Sequence, residues 1–177
     1  DKIIDWIDSD PIPETHGAED TVYLSKSPSY RTAGQHFVHI SELRLIDGIT
    51  ENIYQRLKSF VTVLPILNNK PTKINVNTTS ALLLRSLYDR INPNEALMLY
   101  NDGNAANKTL DEFFRQPAIA NYNLDNEQMR SLIDTKSQWY QAQIGVKMED
   151  SLFQSFALMH RPGSLTNIKQ WSETAYN

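Results

Sequence analysis

Apolar residues stand at helical spacing from the first turn: Ile3, Ile4, Trp6 and Ile7 share one stripe, with Asp5 and Asp8 set among them. The stretch reads as the end of a longer helix that begins upstream of Asp1. Between residues 10 and 35 the periodicity dissolves. Pro11, Pro13, Gly17, Pro28 and Gly34 come too close together for a long helix or a central strand, so this is predicted to be an irregular loop that needs a tether. From 38 to 134 the helical period returns in short pieces. Ser41 and Glu42 lead Leu43, Leu45 and Ile46, and Thr50 caps a turn carrying Ile53, Tyr54, Leu57 and Phe60. After an extended piece at 61–65, Thr78 or Thr79 is expected to cap an apolar helix through Leu84, Leu87 and Tyr88, the centre of the helical region. Asn92-Pro93, Thr109 and Asn126 mark three further helix starts, and Gly103 among asparagines marks a loop. Near residue 137 the period changes to two. Strands are predicted at 137–147, 152–161 and 165–172, antiparallel and joined by Met148-Glu149-Asp150 and Pro162-Gly163-Ser164, with residues 173–177 frayed.

Composition narrows what such a chain can do. With 177 residues, 40% of them hydrophobic and 21% charged, it has enough apolar material for one domain, or a compact domain carrying a subdomain, and is no candidate for disorder. The net charge of -4 gives no general attraction to phosphate backbones or anionic membranes. Without cysteine there is no disulfide, thiolate metal site or thiol nucleophile. The longest apolar runs, such as residues 81–84, fall far short of the ~20 needed to span a bilayer.

Three constellations carry candidate chemistry. Residues 43–50 with Ile53 and Leu57, and then 74–80 with the following helix, look like paired helix-hairpin-helix units. In nucleic-acid binders of that kind, glycine-rich hairpins bring backbone N–H groups to a phosphate. Here the first hairpin keeps only Gly48, beside Asp47, and the second, at 89–93, has no glycine, so the alternative of a helix-hairpin-helix nucleic-acid-binding module ranks below a structural helical module. The second constellation is acidic: Asp5, Asp8 and Asp10, then Glu19 and Asp20 after Gly17. Hard oxygen donors around a flexible loop suit Ca²⁺; the bland counterpart is a solvated acidic turn with Asp10 as a cap, and the spacing is not that of an EF-hand. For catalysis the signals are thin. His16, His36, His39 and His160 lack HExxH spacing, and neither a GxSxG elbow nor a Walker loop occurs. A hydrolase built on the acidic loop would need a histidine or further carboxylates facing an open metal position. Trp139, Tyr140 and Trp171 read as sheet aromatics, with a stacking platform for sugars or bases as the lesser alternative.

Taken in order, Asp5-Trp6-Ile7-Asp8-Ser9-Asp10, Gly17-Ala18-Glu19-Asp20 with Tyr23 and Tyr30, residues 41–49, Val63-Leu64-Pro65 and Asn75-Val76-Asn77-Thr78 resemble the type II secretion minor pseudopilin K family. The resemblance implies an α+β, pilin-like antiparallel sheet with a large inserted all-helical domain of helix-hairpin-helix or SAM-like kind, and an N-terminal pilin helix mostly absent from this sequence. On that plan 1–37 end the N-terminal helix and form the acidic loop, 38–135 are the helical insert, and 136–177 are the strands. It further implies a non-enzymatic subunit at the pseudopilus tip that supports assembly and export of folded proteins across the outer membrane. Its partners would be the minor pseudopilins I and J, with secreted substrates as further candidates, and the full-length form would be anchored in the bacterial inner membrane with this region in the periplasm. Members of the family bind calcium, which carries over first to Glu19 and Asp20, with Asp8 and Asp10 added because they flank the same loop.

Overall fold

The computed structural model describes residues 1–67, 70–149 and 151–173. The chain forms two compact units, residues 1–63 and 64–173. The expected boundary at 37/38 is not where the first core ends. Ile40, Leu43 and Ile46 are buried in the same cluster as Trp6, Ala18 and Tyr23, because the apolar face of the segment after the loop is what closes over the first helix.

In the first unit, α1 (Lys2–Ile7) buries Trp6, and α2 (Asp20–Leu24) supplies the fully buried Tyr23. Trp6, Tyr23 and Tyr30 form an aromatic trio with ring centroids 5.3 to 6.3 Å apart. Tilted and edge-to-face pairs of this kind stabilise beyond simple area burial. The loop is tethered as the sequence demands: Gly34 N–H donates to Trp6 O, Glu14 N–H to the Asp5 carboxylate, and Tyr30 Oη–H to Leu45 O. A 3₁₀ turn, Ile40–Leu45, follows. His39 caps it, through Nδ1 accepting from Ser41 N–H, while Glu42 Oε1 accepts from the His39 and Val38 N–H groups. Thr50 caps α3 (Glu51–Leu57) as its sequence position predicts. Between the two, Gly48 takes φ +85°, a left-handed turn that a side chain would strain.

The second unit begins with a feature absent from the sequence reading, a two-residue parallel pairing of β1 (Ile74–Asn75) with β2 (Ile133–Asp134). Two residues are too few to show a period, and their partners lie almost 60 positions away. The pairing clasps a helical layer: α4 (Ala81–Ser86), α5 (Pro93–Tyr100), α6 (Leu110–Phe114) and α7 (Glu127–Leu132). Ser80, not Thr78 or Thr79, caps α4, accepting from Leu83 N–H. Asn92, Thr109 and Asn126 cap α5, α6 and α7 as expected, Asn92 in a reciprocal box with Glu95. Val76, Leu84, Ile91, Leu99, Phe113, Ile119 and Ile133 fill the core, with Leu84 fully buried as the expected centre.

Three antiparallel strands complete the unit in the order β3-β4-β5: β3 (Trp139–Met148), β4 (Ser151–His160) and β5 (Asn167–Ser172). Met148 belongs to β3, so the first connection is tighter than predicted, and Glu149 enters it at φ +51°. β5 starts at Asn167 instead of residue 165, and a register shift at Leu158/Met159 kinks its pairing. Burial is concentrated at the hairpin base, where Phe156, Ala157, Leu158 and His160 lie; Val146, Met148, Leu152 and Phe153 toward the tip are exposed. Of the predicted frayed end at 173–177, residues 174–177 lie outside the described residues, as does Asp150 in the first connection. The architecture is therefore α+β with an antiparallel sheet, as expected. Among the described residues no helix is long and apolar enough to cross a membrane.

Candidate metal centre

Helix α1 ends at Asp8, whose backbone turns to extended geometry while its N–H still donates to Ile4 O. That turn throws the Asp8 side chain back toward the loop. Asp10 follows two residues on, its Oδ1 accepting from Ile12 N–H at 2.9 Å. Glu19 occupies the N-cap position of α2 without capping it. Its side chain instead joins the other two, and one oxygen each from Asp8, Asp10 and Glu19 lies within 4.8 Å of the others. Among the described residues, the group brought together this way is made of carboxylates alone, with no histidine.

The electrostatics of the trio are unfavourable as it stands. Glu19 is only 6% exposed, and its Oε1, like Asp8 Oδ1, is buried without a hydrogen-bond partner. Burial raises the Glu19 carboxyl above the usual carboxylate range, and Asp5 and Asp8 add to the rise; one hydrogen bond from the Asp20 backbone opposes it. Asp8 is raised too, first by desolvation and then by Asp10 and Asp5. Buried acceptors that stay unpaired are costly, and neighbouring negative charges make them more so. The donor set fits a hard cation. With Ca²⁺–O distances of about 2.3 to 2.6 Å, oxygens on opposite sides of one ion stand about 5 Å apart, and the present separations fall inside that limit.

Asp20, carried over with Glu19 as a first candidate, is placed differently. Its Oδ2 accepts from Arg31 at 2.7 Å, and its Oδ1 accepts from Thr32 N–H and Oγ1–H at 2.9 and 3.1 Å. The Thr32 N–H bond leads the causes that hold its carboxyl below the usual value. Adjacent residues at a helix start point in different directions, so Glu19 and Asp20 separate: one faces the acidic group, the other closes the loop. Asp5 and Gly17 belong to the acidic stretch of the sequence but not to the expected ligand set, and the structure places both against the group. Asp5, three positions before Asp8 on α1, is fully buried and accepts from Glu14 N–H at 3.2 Å. Gly17 makes room for it, since a Cβ there would sit 1.9 Å from Asp5 Oδ2. The i, i+3 spacing of Asp5 and Asp8 was the available signal.

The remaining candidates scatter. His16 Nδ1 lies 3.5 Å from Asp1, His36 is exposed, His39 is a helix cap, and His160 stacks on Trp139 with ring centroids 4.6 Å apart. Tyr140 is braced by Ser137 O and Arg161, and Trp171 is 55% exposed. The phosphate-binding reading of the Gly48 hairpin meets a specific obstacle. Asp47 accepts from Lys2 at 2.7 Å and Lys26 at 2.8 Å, so the two cations that α1 and the end of α2 bring to this hairpin already serve an internal anion, whose carboxyl they lower to about 2.

Residues 1–66 match the family model described as type II secretion system protein K. The chain is 33% identical over 170 residues to type II secretion system protein K of Pectobacterium carotovorum subsp. carotovorum, an alignment covering 94% of this chain and 51% of that protein. The protein K of Klebsiella pneumoniae gives 32% identity with the same two coverages, and a putative protein K of Escherichia coli K12 gives 44% over 93 residues, 50% of this chain and 28% of that protein. The chain thus spans about half the length of the first two curated relatives. Its fold matches a chain in the crystal structure of the GspK-GspI-GspJ complex of enterotoxigenic Escherichia coli, with a TM-score of 0.78 at 24% identity, over 97% of this chain and 60% of that one. By sequence along nearly its whole length this chain belongs to the type II secretion system protein K family.

Proposed function

We propose that the protein is a structural minor pseudopilin of the type II secretion system, seated at the pseudopilus tip and joined there to pseudopilins I and J. Its work is assembly instead of turnover, supporting export of folded proteins across the outer membrane. The observation that carries this reading is the 33% identity to a protein K over 94% of the chain. The shared fold with a chain of a complex named for GspK, GspI and GspJ supports the choice of partners. In this reading the described region works in the periplasm, and the full-length protein is held in the inner membrane.

The acidic trio is the tether of that assembly unit. Asp8, Asp10 and Glu19 would hold a calcium ion, supported by the two buried oxygens without partners and by the oxygen-only donor set. The ion would supply positive charge and coordination where the chain supplies neither, fixing the end of α1 to the start of α2 and ordering the loop between them. Asp5, pinned by Glu14 N–H, positions the α1 end of the group. Mixing this chain with the I and J proteins of the same organism and measuring molar mass by size-exclusion chromatography with light scattering tests the reading. A 1:1:1 species is expected. If this chain elutes alone, while the same I and J preparations capture a full-length protein K, the assignment of these partners to this region fails.

A further inference from the structure

A second concave site lies within the second unit. The segment leading into β1, the stretch through β2, and the base of the β3-β4 hairpin enclose a cleft of about 710 Å³, within the ~300 to 1,000 Å³ range of ligand sites. Three lysines line it, Lys70, Lys73 and Lys136, against a single carboxylate, Asp134. In a chain of net charge -4 this is a local reversal of sign. Lys73 is held in place by donating to Arg130 O at 2.7 Å, which leaves its charge uncompensated. Lys70 and Lys136 are exposed, and among the described residues their side-chain ammonium groups have no hydrogen-bond or ion-pair partner. Asp134 has one oxygen accepting from Thr135 N–H at 2.7 Å. The rest of the lining mixes prolines and Leu67 with the polar Thr72, Ser131 and Gln138. Pro65, Pro71 and Pro162 present rings without an N–H, and Trp139 stacks on the largely buried His160, giving the hairpin base a rigid side.

We propose that this cleft docks an acidic, partly apolar peptide segment of a partner protein. Its lysines would take carboxylates of the segment, and its proline and indole walls would take the side chains between them. The chemistry favours peptide over nucleic acid on two grounds. The indole of Trp139 is already engaged by His160 and is a poor platform for a base, and Asp134 together with the overall negative charge opposes a dense phosphate backbone.

The test uses the whole chain and a fluorescein-labelled hexapeptide alternating glutamate and leucine, read by fluorescence anisotropy at low and physiological salt. Binding is expected, weakening as salt rises. It should fall roughly tenfold in each of Lys70→Glu and Lys136→Glu. Both sites are exposed, and thermal melts of the variants report whether folding is kept. Lys147→Glu, on β3 and outside the cleft lining, should bind as the parent does. The proposal is overturned if the glutamine version of the peptide binds equally well, if Lys147→Glu weakens binding as much as the cleft variants do, or if a labelled thymidine hexanucleotide binds where the peptide does not.

Discussion

Replacing Glu19 with Gln keeps the side-chain volume and removes one negative charge from a group in which three carboxylate oxygens lie within 4.8 Å of one another. The structure gives this change opposite consequences in two conditions. Under chelator, the buried Glu19 carboxylate is repelled by Asp5, Asp8 and Asp10, so Glu19→Gln raises the melting midpoint. With calcium present, the parent gains what the variant cannot. For a site of about 10 µM affinity, within the range of oxygen-donor calcium sites, 1 mM free calcium is about one hundred times the dissociation constant and stabilises the native state by about 2.7 kcal/mol. In a chain of this size, that corresponds to a rise of about 5 to 11 °C. Differential scanning calorimetry of both proteins, with chelator and then with calcium, should therefore show the two midpoints crossing. Asp20→Asn supplies the counter-test: its carboxylate faces Arg31 and Thr32, so this variant should melt lower in both conditions and keep the calcium increment. A calcium increment that survives Glu19→Gln, or one that Asp20→Asn abolishes, would refute the assignment of ligands. No increment in the parent would remove the cation altogether.

The other expectations follow from packing and charge. Gly17→Ala places a methyl group 1.9 Å from the buried Asp5 carboxylate and should destabilise by about 1 to 3 kcal/mol in urea unfolding, as overpacking does. Leu84→Ala, at the fully buried centre of the second unit, should cost about 2 to 5 kcal/mol, and trypsin cleavage followed by mass spectrometry should find new sites within 64–173. Asp47→Asn removes the anion shared by Lys2 and Lys26 at a site about one-third exposed, so the loss should be about 1 kcal/mol and shrink in high salt. Because the folded Asp47 carboxyl is lowered to about 2 from an ordinary 3.8, its contribution is present above pH ~4 and disappears as pH falls through 2. The gap between parent and variant should close over that window in pH-dependent urea titrations.

Local chemistry was legible because it is written within a few residues. The turn from helical to alternating period near residue 137, the caps at Thr50, Asn92, Thr109 and Asn126, and the loop punctuated by Pro11, Pro13 and Gly34 each rest on short-range sterics and hydrogen bonding, and the structure keeps them. The acidic character of the site was equally plain. What the sequence could not give was direction. Glu19 and Asp20 are neighbours of one chemical type, and only the packing of α2 against Trp6 and Tyr30 turns the first toward Asp8 and Asp10 and leaves the second to Arg31 and Thr32. The pairing of Ile74 with Ile133, the room Gly17 gives to Asp5, and the meeting of Lys70 and Lys73 with Lys136 around one cleft are likewise tertiary facts. Each joins residues through a core that no local pattern encodes. Hydrophobic burial selects which faces meet, and the polar groups carried on those faces acquire their neighbours as a result.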